Sequence, residues 1–238
     1  MAERLIIVAG AMLHVLVLQI PLVVRDVSYF SLIADPSIIV FLAMVAVHTL
    51  WEGVQSMGTD TAPAVHVRGA VVPYLTGLSL LLLHCVLVAE FALFDGSHSF
   101  AGQSGNGLIL LGAVLMVAGI WLRVRAIGLL GSSFTSHICL VPNHTLFRDG
   151  LYKLVRHPSE TGLLLISFGA CAVMSSVVGC LIVILVLYPL SRVRVAYEDR
   201  MLHASFGEAF VLYARSTPAY LPRVRLFLDR TTAPLRGE

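Results

Sequence analysis

The residues most able to do chemistry lie in a polar segment of a chain that is otherwise strongly apolar. This segment runs from Asn143 to Gly162 and carries Arg156, His157 and Glu160 directly before an apolar run. Moving a charged side chain toward hydrocarbon costs several kcal/mol unless water or a partner receives it. The three side chains therefore indicate either a functional site or an interfacial anchor, since basic and aromatic residues also gather at membrane boundaries without catalytic duty.

Pro158 predicts that a helix begins immediately after Arg156 and His157, because proline suits the first turn, where its missing N–H is not needed. The free N–H groups of such a turn can receive a ligand carboxylate. Gly162, about one turn further on, would allow another backbone or a ligand to come close.

A second candidate group follows the next apolar run. Arg194 and Glu198 are four residues apart, so they share one face of a helix, and Asp199 comes next. A surface ion pair is the simpler interpretation. If the chain turns back through the membrane, however, a cation-binding carboxylate and an anion-binding guanidinium would converge beside Pro158.

The composition requires a membrane protein. Of the 238 residues, 58% are hydrophobic and only 13% are charged, and the mean hydropathy is +0.88. These values predict a compact multi-span protein, and the net charge of +2, without a long cationic run, implies no nucleic-acid partner. The four cysteines form no C-x-x-C pair, so neither a disulfide framework nor a zinc site is predicted.

The apolar segments predict an all-α bundle of about six membrane helices. Four segments have about spanning length, namely 5–24, 38–57, 70–94 and 108–130. The run 163–190 is too long for one span and is interrupted by Ser175, Ser176 and Gly179, which suit a turn. We therefore predict a helical hairpin whose second arm continues to about His203.

The basic residues predict the orientation of the bundle. No Lys or Arg occurs between Gly69 and Leu122, whereas Arg123, Arg148 and most of the later arginines follow. Because cytoplasmic loops collect positive charge, we expect both termini to face the cytoplasm, with Arg25 as the clear exception.

A glycine-rich loop at 102–107 lacks the preceding strand of a dinucleotide-binding fold. Any nucleotide-like cofactor should therefore bind by a route other than a Rossmann fold.

Several motifs together resemble one family, the integral-membrane isoprenylcysteine carboxyl methyltransferases and their relatives among the phospholipid methyltransferases. The resemblance covers roughly residues 131–222. Its parts occur in the family's order: Asn143-His144-x-Leu146, Gly150-x-Tyr152, Arg156-His157-Pro158-Ser159-x-x-Gly162, Arg194, Glu198-Asp199, Phe206-Gly207, Tyr213 and Pro218-x-x-Leu221-Pro222.

The resemblance implies a methyltransferase that uses S-adenosylmethionine and acts on a lipophilic or membrane-embedded acceptor. The acceptor alternatives are an isoprenylcysteine carboxylate, a phospholipid amine and a small thiol or other hydrophobic metabolite. Residues 1–130 would form a substrate channel, and residues 131–238 would form the methyltransferase core. Membrane lipids are expected as partners, including anionic headgroups at the basic tail.

The implied catalytic residues are Arg194 and Glu198, with Arg194 addressing the acceptor. The implied cofactor-binding residues are His144, Thr145, Leu146, Phe147, Tyr152, His157, Pro158, Ser159, Glu160 and Glu198. Elementary chemistry supports these roles. A protein carboxylate can bind the positive end of S-adenosylmethionine, and the free N–H groups at the start of a helix can bind its carboxylate. If the acceptor were an amine or thiol, His157 or Glu160 could assist its loss of a proton.

Two departures from the family pattern stand out. Glu160 occupies a position where the family most often has an aromatic residue, and Asp199 replaces the second of two glutamates. The extra carboxylate of Glu160 would either help to bind the sulfonium or select a cationic acceptor.

Three histidines, His14, His48 and His84, fall inside predicted spans, where ionisable groups are functional candidates. They leave an alternative from another class: a non-catalytic membrane protein that binds haem or a partner helix through these side chains. Interhelical hydrogen bonds would also account for them.

Overall fold

A computed structural model of the protein describes residues 35–59, 66–67, 71–93, 105–131, 134, 139–140 and 145–222. Within these residues four helices are long and apolar enough to cross a membrane, and a fifth apolar helix is shorter. The predicted span at 5–24 lies outside the described residues. The prediction of an all-α, multi-span bundle is confirmed.

The helices begin and end close to the predicted limits. Helix α1 is Pro36–Thr59, α2 is Val71–Leu93 and α3 is Gly105–Leu130. After a 3₁₀ turn at Gly150–Lys153, the shorter apolar helix α4 is Pro158–Val173.

The remaining elements follow the turn at the end of α4. Helix α5 is Val177–Ile182, a π-helical segment covers Val183–Leu187, α6 is Tyr188–Phe206 and α7 is Glu208–Ser216. Helices α5 and α6 form one continuous rod of 30 residues through the π segment. Outside the helices, the two-residue strands His66–Val67 and Cys139–Leu140 pair in antiparallel fashion.

The predicted hairpin is formed by α4 and the α5–α6 rod. Ser175 takes a left-handed conformation with a φ of 49°. The side chain of Ser176 then accepts a hydrogen bond from the backbone N–H of Gly179, which caps the start of α5. The chain therefore reverses where its small polar residues interrupt the apolar run, and α6 returns beside the start of α4.

Helices α3 and α4 pack with their backbones in close approach along a glycine seam. A Cβ atom at Gly119 would lie 2.5 Å from the carbonyl oxygen of Gly162, and one at Gly112 would lie 2.5 Å from that of Gly169. Small residues permit such contacts between membrane helices. Of the two alternatives for Gly162, the structure shows the approach of another backbone.

One hydrophobic core joins the membrane helices. Its buried side chains come from α1, α2, α3, α4 and the π segment, and include Ile38, Phe41, Leu83, Leu87, Met116, Ile166, Ala170, Val183 and Leu187. Other large apolar side chains point outward on the same helices, as a bilayer requires; they include Leu50, Val54, Leu78, Leu110, Val114 and Leu185. This shared core fixes the ends of α1, α3, α4 and α6 relative to one another.

Candidate active site

The start of α4 is held against the segment that follows α7. The backbone N–H of Arg156 donates to the carbonyl oxygen of Pro218 at 2.8 Å, and that of His157 donates to Ala219 at 3.0 Å. The guanidinium of Arg156 also donates to the carbonyl oxygen of Ala214 at 2.9 Å. The Arg-His-Pro motif and the Pro-x-x-Leu-Pro motif, far apart in sequence, are therefore neighbours.

His157 lies between two carboxylates supplied by α6. Its Nε2 is 2.9 Å from Oδ1 of Asp199, and its Nδ1 is 3.5 Å from Oε2 of Glu198. Arg156 completes the group, because its Nη2 donates to Oδ2 of Asp199 at 2.9 Å. Glu198 is the more accessible of the two acids, with 37% of its side chain exposed.

This environment determines the protonation state of His157. Burial lowers the pKa of the imidazole, but the carboxylates of Glu198 and Asp199 outweigh burial and raise that pKa to about 9. At neutral pH the ring is therefore a cation that donates hydrogen bonds. His157 is therefore unsuited to accept a proton from an amine or thiol acceptor.

Glu160 forms a second group with α6. Its side chain is almost fully buried, and its Oε1 lies 3.2 Å from Nε of Arg194. Its Oε2 accepts a hydrogen bond from the hydroxyl of Ser191 at 2.7 Å. The same hydroxyl lies 2.9 Å from that of Tyr220, whose pKa is raised to about 12 by burial, so the phenol keeps its proton.

Arg123 is part of the site although sequence reasoning used it only to orient the bundle. This buried side chain reaches from α3 to α1, where its Nε donates to Oε1 of Glu52 at 2.6 Å. Its Nη1 donates to the carbonyl oxygen of Ser159 at 3.0 Å and to the Ser159 hydroxyl at 3.1 Å. The sequence signal for this role was the position of a charged residue within an apolar segment, because ionisable residues in membrane segments are candidates for a functional site.

The segment before α4 supplies an aromatic wall. The hydroxyl of Tyr152 donates to the carbonyl oxygen of Ala126 at 3.2 Å, and its ring meets that of Phe147 edge to face. Tyr213 of α7 donates to the backbone oxygen of Tyr152 at 2.6 Å. Burial raises the pKa of Tyr152, so this residue serves as a neutral wall.

The other implied cofactor-binding residues are placed differently. Leu146 is half-buried next to Phe147, whereas Thr145 is exposed. His144 lies outside the described residues. The structure thus brings together Tyr152, the start of α4, Arg194 and Glu198.

Two of the three membrane histidines have neighbours that explain them structurally. Nε2 of His48 lies 3.5 Å from Oε1 of Glu52, one turn later on α1. His84 of α2 packs edge to face on Phe41 of α1, with ring centroids 5.6 Å apart. His14 lies outside the described residues. The His48 contact lies within α1, and the His84 contact is an aromatic one between α1 and α2, so neither of these two contacts is an interhelical hydrogen bond.

Comparisons with known proteins identify a family. The sequence model of the isoprenylcysteine carboxyl methyltransferase (ICMT) family matches residues 110–204. Protein-S-isoprenylcysteine O-methyltransferase B of Arabidopsis thaliana is 28% identical over 189 residues, which cover 77% of this chain and 91% of the relative. Protein-S-isoprenylcysteine O-methyltransferase A of the same plant is 31% identical over 150 residues, covering 62% of this chain and 73% of the relative.

A solved structure shows the same fold. The eukaryotic intramembrane Ras methyltransferase ICMT superposes with a TM-score of 0.58 at 20% identity, covering 88% of this chain and 73% of that one. The fold therefore matches that of an intramembrane methyltransferase.

Proposed function

Because the chain belongs to the isoprenylcysteine carboxyl methyltransferase family, and is therefore an integral-membrane, multi-pass methyltransferase, we propose that it transfers a methyl group from S-adenosylmethionine to a lipophilic acceptor. The observation that carries the proposal is the meeting of Glu198 and Asp199 with His157 at the start of α4. This arrangement offers an accessible carboxylate beside a helix start, which suits a ligand carrying both an ammonium and a carboxylate.

Glu198 is the residue we assign to the positive end of the donor. Its partly exposed side chain can accept from an ammonium, while His157, which Asp199 also contacts, holds it in place. We assign the donor carboxylate to the first turn of α4, at Ser159, because N–H groups there have no partner within the helix. S-adenosylmethionine supplies an activated methyl group on a sulfonium, so no further activation is required of the protein.

The walls of the donor site come from the segment before α4. Tyr152 and Phe147 form an aromatic surface, and Leu146 lies beside it. By resemblance His144 and Thr145 complete this part of the site, together with Pro158 and Glu160. Methyl transfer is an in-line displacement that depends mainly on the alignment of donor and nucleophile. The rigid contacts of the α4 start supply such alignment.

We propose that the acceptor carries a long apolar chain, as the isoprenylcysteine in the relatives' names does. It would enter from the bilayer along the helices within residues 1–130 and meet the donor near Arg194, with residues 131–238 as the methyltransferase core. The excess of basic residues on one side supports a cytoplasmic location for both termini and contact of the tail with anionic lipids.

The experiment is titration of the full-length protein with S-adenosylhomocysteine, which keeps the ammonium and the carboxylate of the donor. Glu198→Gln should weaken binding by about tenfold or more, corresponding to at least ~1.4 kcal/mol. Glu208→Gln is the matched control, since it removes an exposed carboxylate from α7 and should leave the affinity unchanged. Equal affinities of the Glu198→Gln variant and the unaltered protein would refute the assigned role.

A further inference from the structure

Glu160 is held firmly in the site and faces the guanidinium of Arg194. Both carboxylate oxygens are engaged, one 3.2 Å from Nε of Arg194 and the other accepting from the hydroxyl of Ser191. Only 5% of the Glu160 side chain and 17% of the Arg194 side chain are exposed. The pair is therefore largely shielded from water, where a charge-assisted contact is strong.

The surrounding contacts fix this pair in one geometry. The Ser191 hydroxyl, which binds Glu160, also lies 2.9 Å from the hydroxyl of Tyr220. The backbone oxygen of Tyr220 in turn accepts from the hydroxyl of Thr161 at 2.9 Å. Three separate elements, α4, α6 and the segment after α7, therefore hold the carboxylate of Glu160 against Arg194.

Three arginines at this end of the described bundle each contact a carboxylate of the protein itself. The pairs are Arg123 with Glu52, Arg156 with Asp199, and Arg194 with Glu160. Without the carboxylate of Glu160, Arg194 would lose this ion pair. An acceptor carboxylate would then be the natural replacement.

We propose that Glu160 is a specificity-determining residue, which takes the place of an acceptor carboxylate on Arg194. A carboxylate acceptor must displace Glu160 and leave that buried anion without its partner, which is unfavourable. The preferred acceptor therefore has a reacting group without a negative charge, an amine or a thiol. This inference rests on the proposed methyl transfer and names its acceptor class.

The transfer is balanced with such an acceptor. The lone pair of nitrogen or sulfur forms the new bond to the methyl carbon, and the donor sulfur keeps the electron pair of the broken S–C bond. The donor becomes a neutral thioether. A protonated amine first gives one proton to water, which frees its lone pair, and the methylated amine then carries the positive charge. A thiol gives its proton to water as the new bond forms, and its product is an uncharged thioether.

The test compares two ligands that differ in one charge, N-acetyl-S-farnesylcysteine and its methyl ester, bound to the full-length protein with S-adenosylhomocysteine present. The unaltered protein should bind the acid about tenfold more weakly than the ester. Glu160→Gln should strengthen binding of the acid by about tenfold and change binding of the ester by less than about twofold. Glu208→Gln, the control for loss of a carboxylate, should change neither.

A double variant ties the effect to Arg194. In an Arg194→Gln background, Glu160→Gln should no longer strengthen binding of the acid, because the released guanidinium is absent. The comparison of acid and ester on the unaltered protein remains decisive even if a variant fails to fold. An acid that binds the unaltered protein as tightly as the ester does, or gains nothing from Glu160→Gln, would overturn the inference.

Turnover with labelled methyl donor then identifies the reacting group. Farnesyl thiol and S-farnesylcysteamine offer a thiol and an amine on the same apolar chain, and at least one should be methylated faster than the acid. The acid as best acceptor of the three would overturn the inference while leaving the proposed function intact. A failure of the unaltered protein to bind S-adenosylhomocysteine would instead refute the proposed function.

Discussion

Replacing His157 with glutamine should remove most of the loss of stability that the protein shows as the pH rises from 6.5 to 9. The ordinary pKa of this imidazole is 6.5, and its environment in the fold raises the pKa to about 9. Because the folded state binds the proton more tightly, the stabilisation is fully present below pH 6.5. It is lost as the pH rises through 9.

The magnitude follows from the size of the shift. A change from 6.5 to about 9 corresponds to ~3 kcal/mol, at about 1.4 kcal/mol for each unit of pKa. The side chain is only 4% exposed, so screening by water reduces this value little. Its origin is the position of the ring between Asp199 at 2.9 Å and Glu198 at 3.5 Å.

The assay is unfolding of the detergent-solubilised protein, followed by far-ultraviolet circular dichroism at several pH values between 6 and 10. The difference in unfolding free energy between the unaltered protein and His157→Gln should shrink by ~3 kcal/mol across this range. His203→Gln is the control, since this histidine is exposed on the same helix as Asp199. Parallel pH profiles of the unaltered protein and His157→Gln would refute the assignment of His157 as a buried cation.

Two further predictions concern the packing that supports the site. Gly119→Ala should destabilise the protein by about 1–3 kcal/mol, because the new methyl group would meet the α4 backbone. Gly128→Ala is the control, since a methyl group there would lie in open space and should not destabilise the protein. Thermal unfolding of both variants measures the difference. Arg123→Ala should cost about 1–3 kcal/mol, because it leaves the partly buried carboxylate of Glu52 on α1 without this ion-pair partner. Arg125→Ala, at an exposed position of α3, is the control, and equal unfolding midpoints for these two variants would contradict the role of Arg123.

The hairpin was predictable because its signals are local. Ser175, Ser176 and Gly179 interrupt an apolar run too long for one span, and in the structure these residues form the turn and the cap of α5. The spans within 38–57, 70–94 and 108–130 were predictable for the same reason, since length and hydropathy are properties of a continuous segment. The Pro158 start of α4 likewise follows from the fixed backbone of proline.

The partner of each charge was not predictable, because it depends on contacts between distant segments. Arg123 and Glu52 are 71 residues apart, and their contact requires the register of α1 against α3. That register depends on the close packing of apolar side chains and glycines across several helices, which no single segment encodes. Sequence reasoning used Arg123 only to orient the bundle and could not place it against Ser159.

Arg194 and Glu198 show why helical spacing gives a face but not a role. Their separation of four residues predicted a common face, and both side chains do lie toward the start of α4. There the two residues meet different partners, because His157 precedes the helix and Glu160 lies in its first turn. A cationic imidazole beside Glu198 restrains a carboxylate that stays accessible, whereas a buried carboxylate beside Arg194 offsets the charge that an acceptor carboxylate would use. The same helix face therefore presents one accessible carboxylate and one guanidinium that is already paired, and this asymmetry follows from the presence of Glu160 in the first turn of α4.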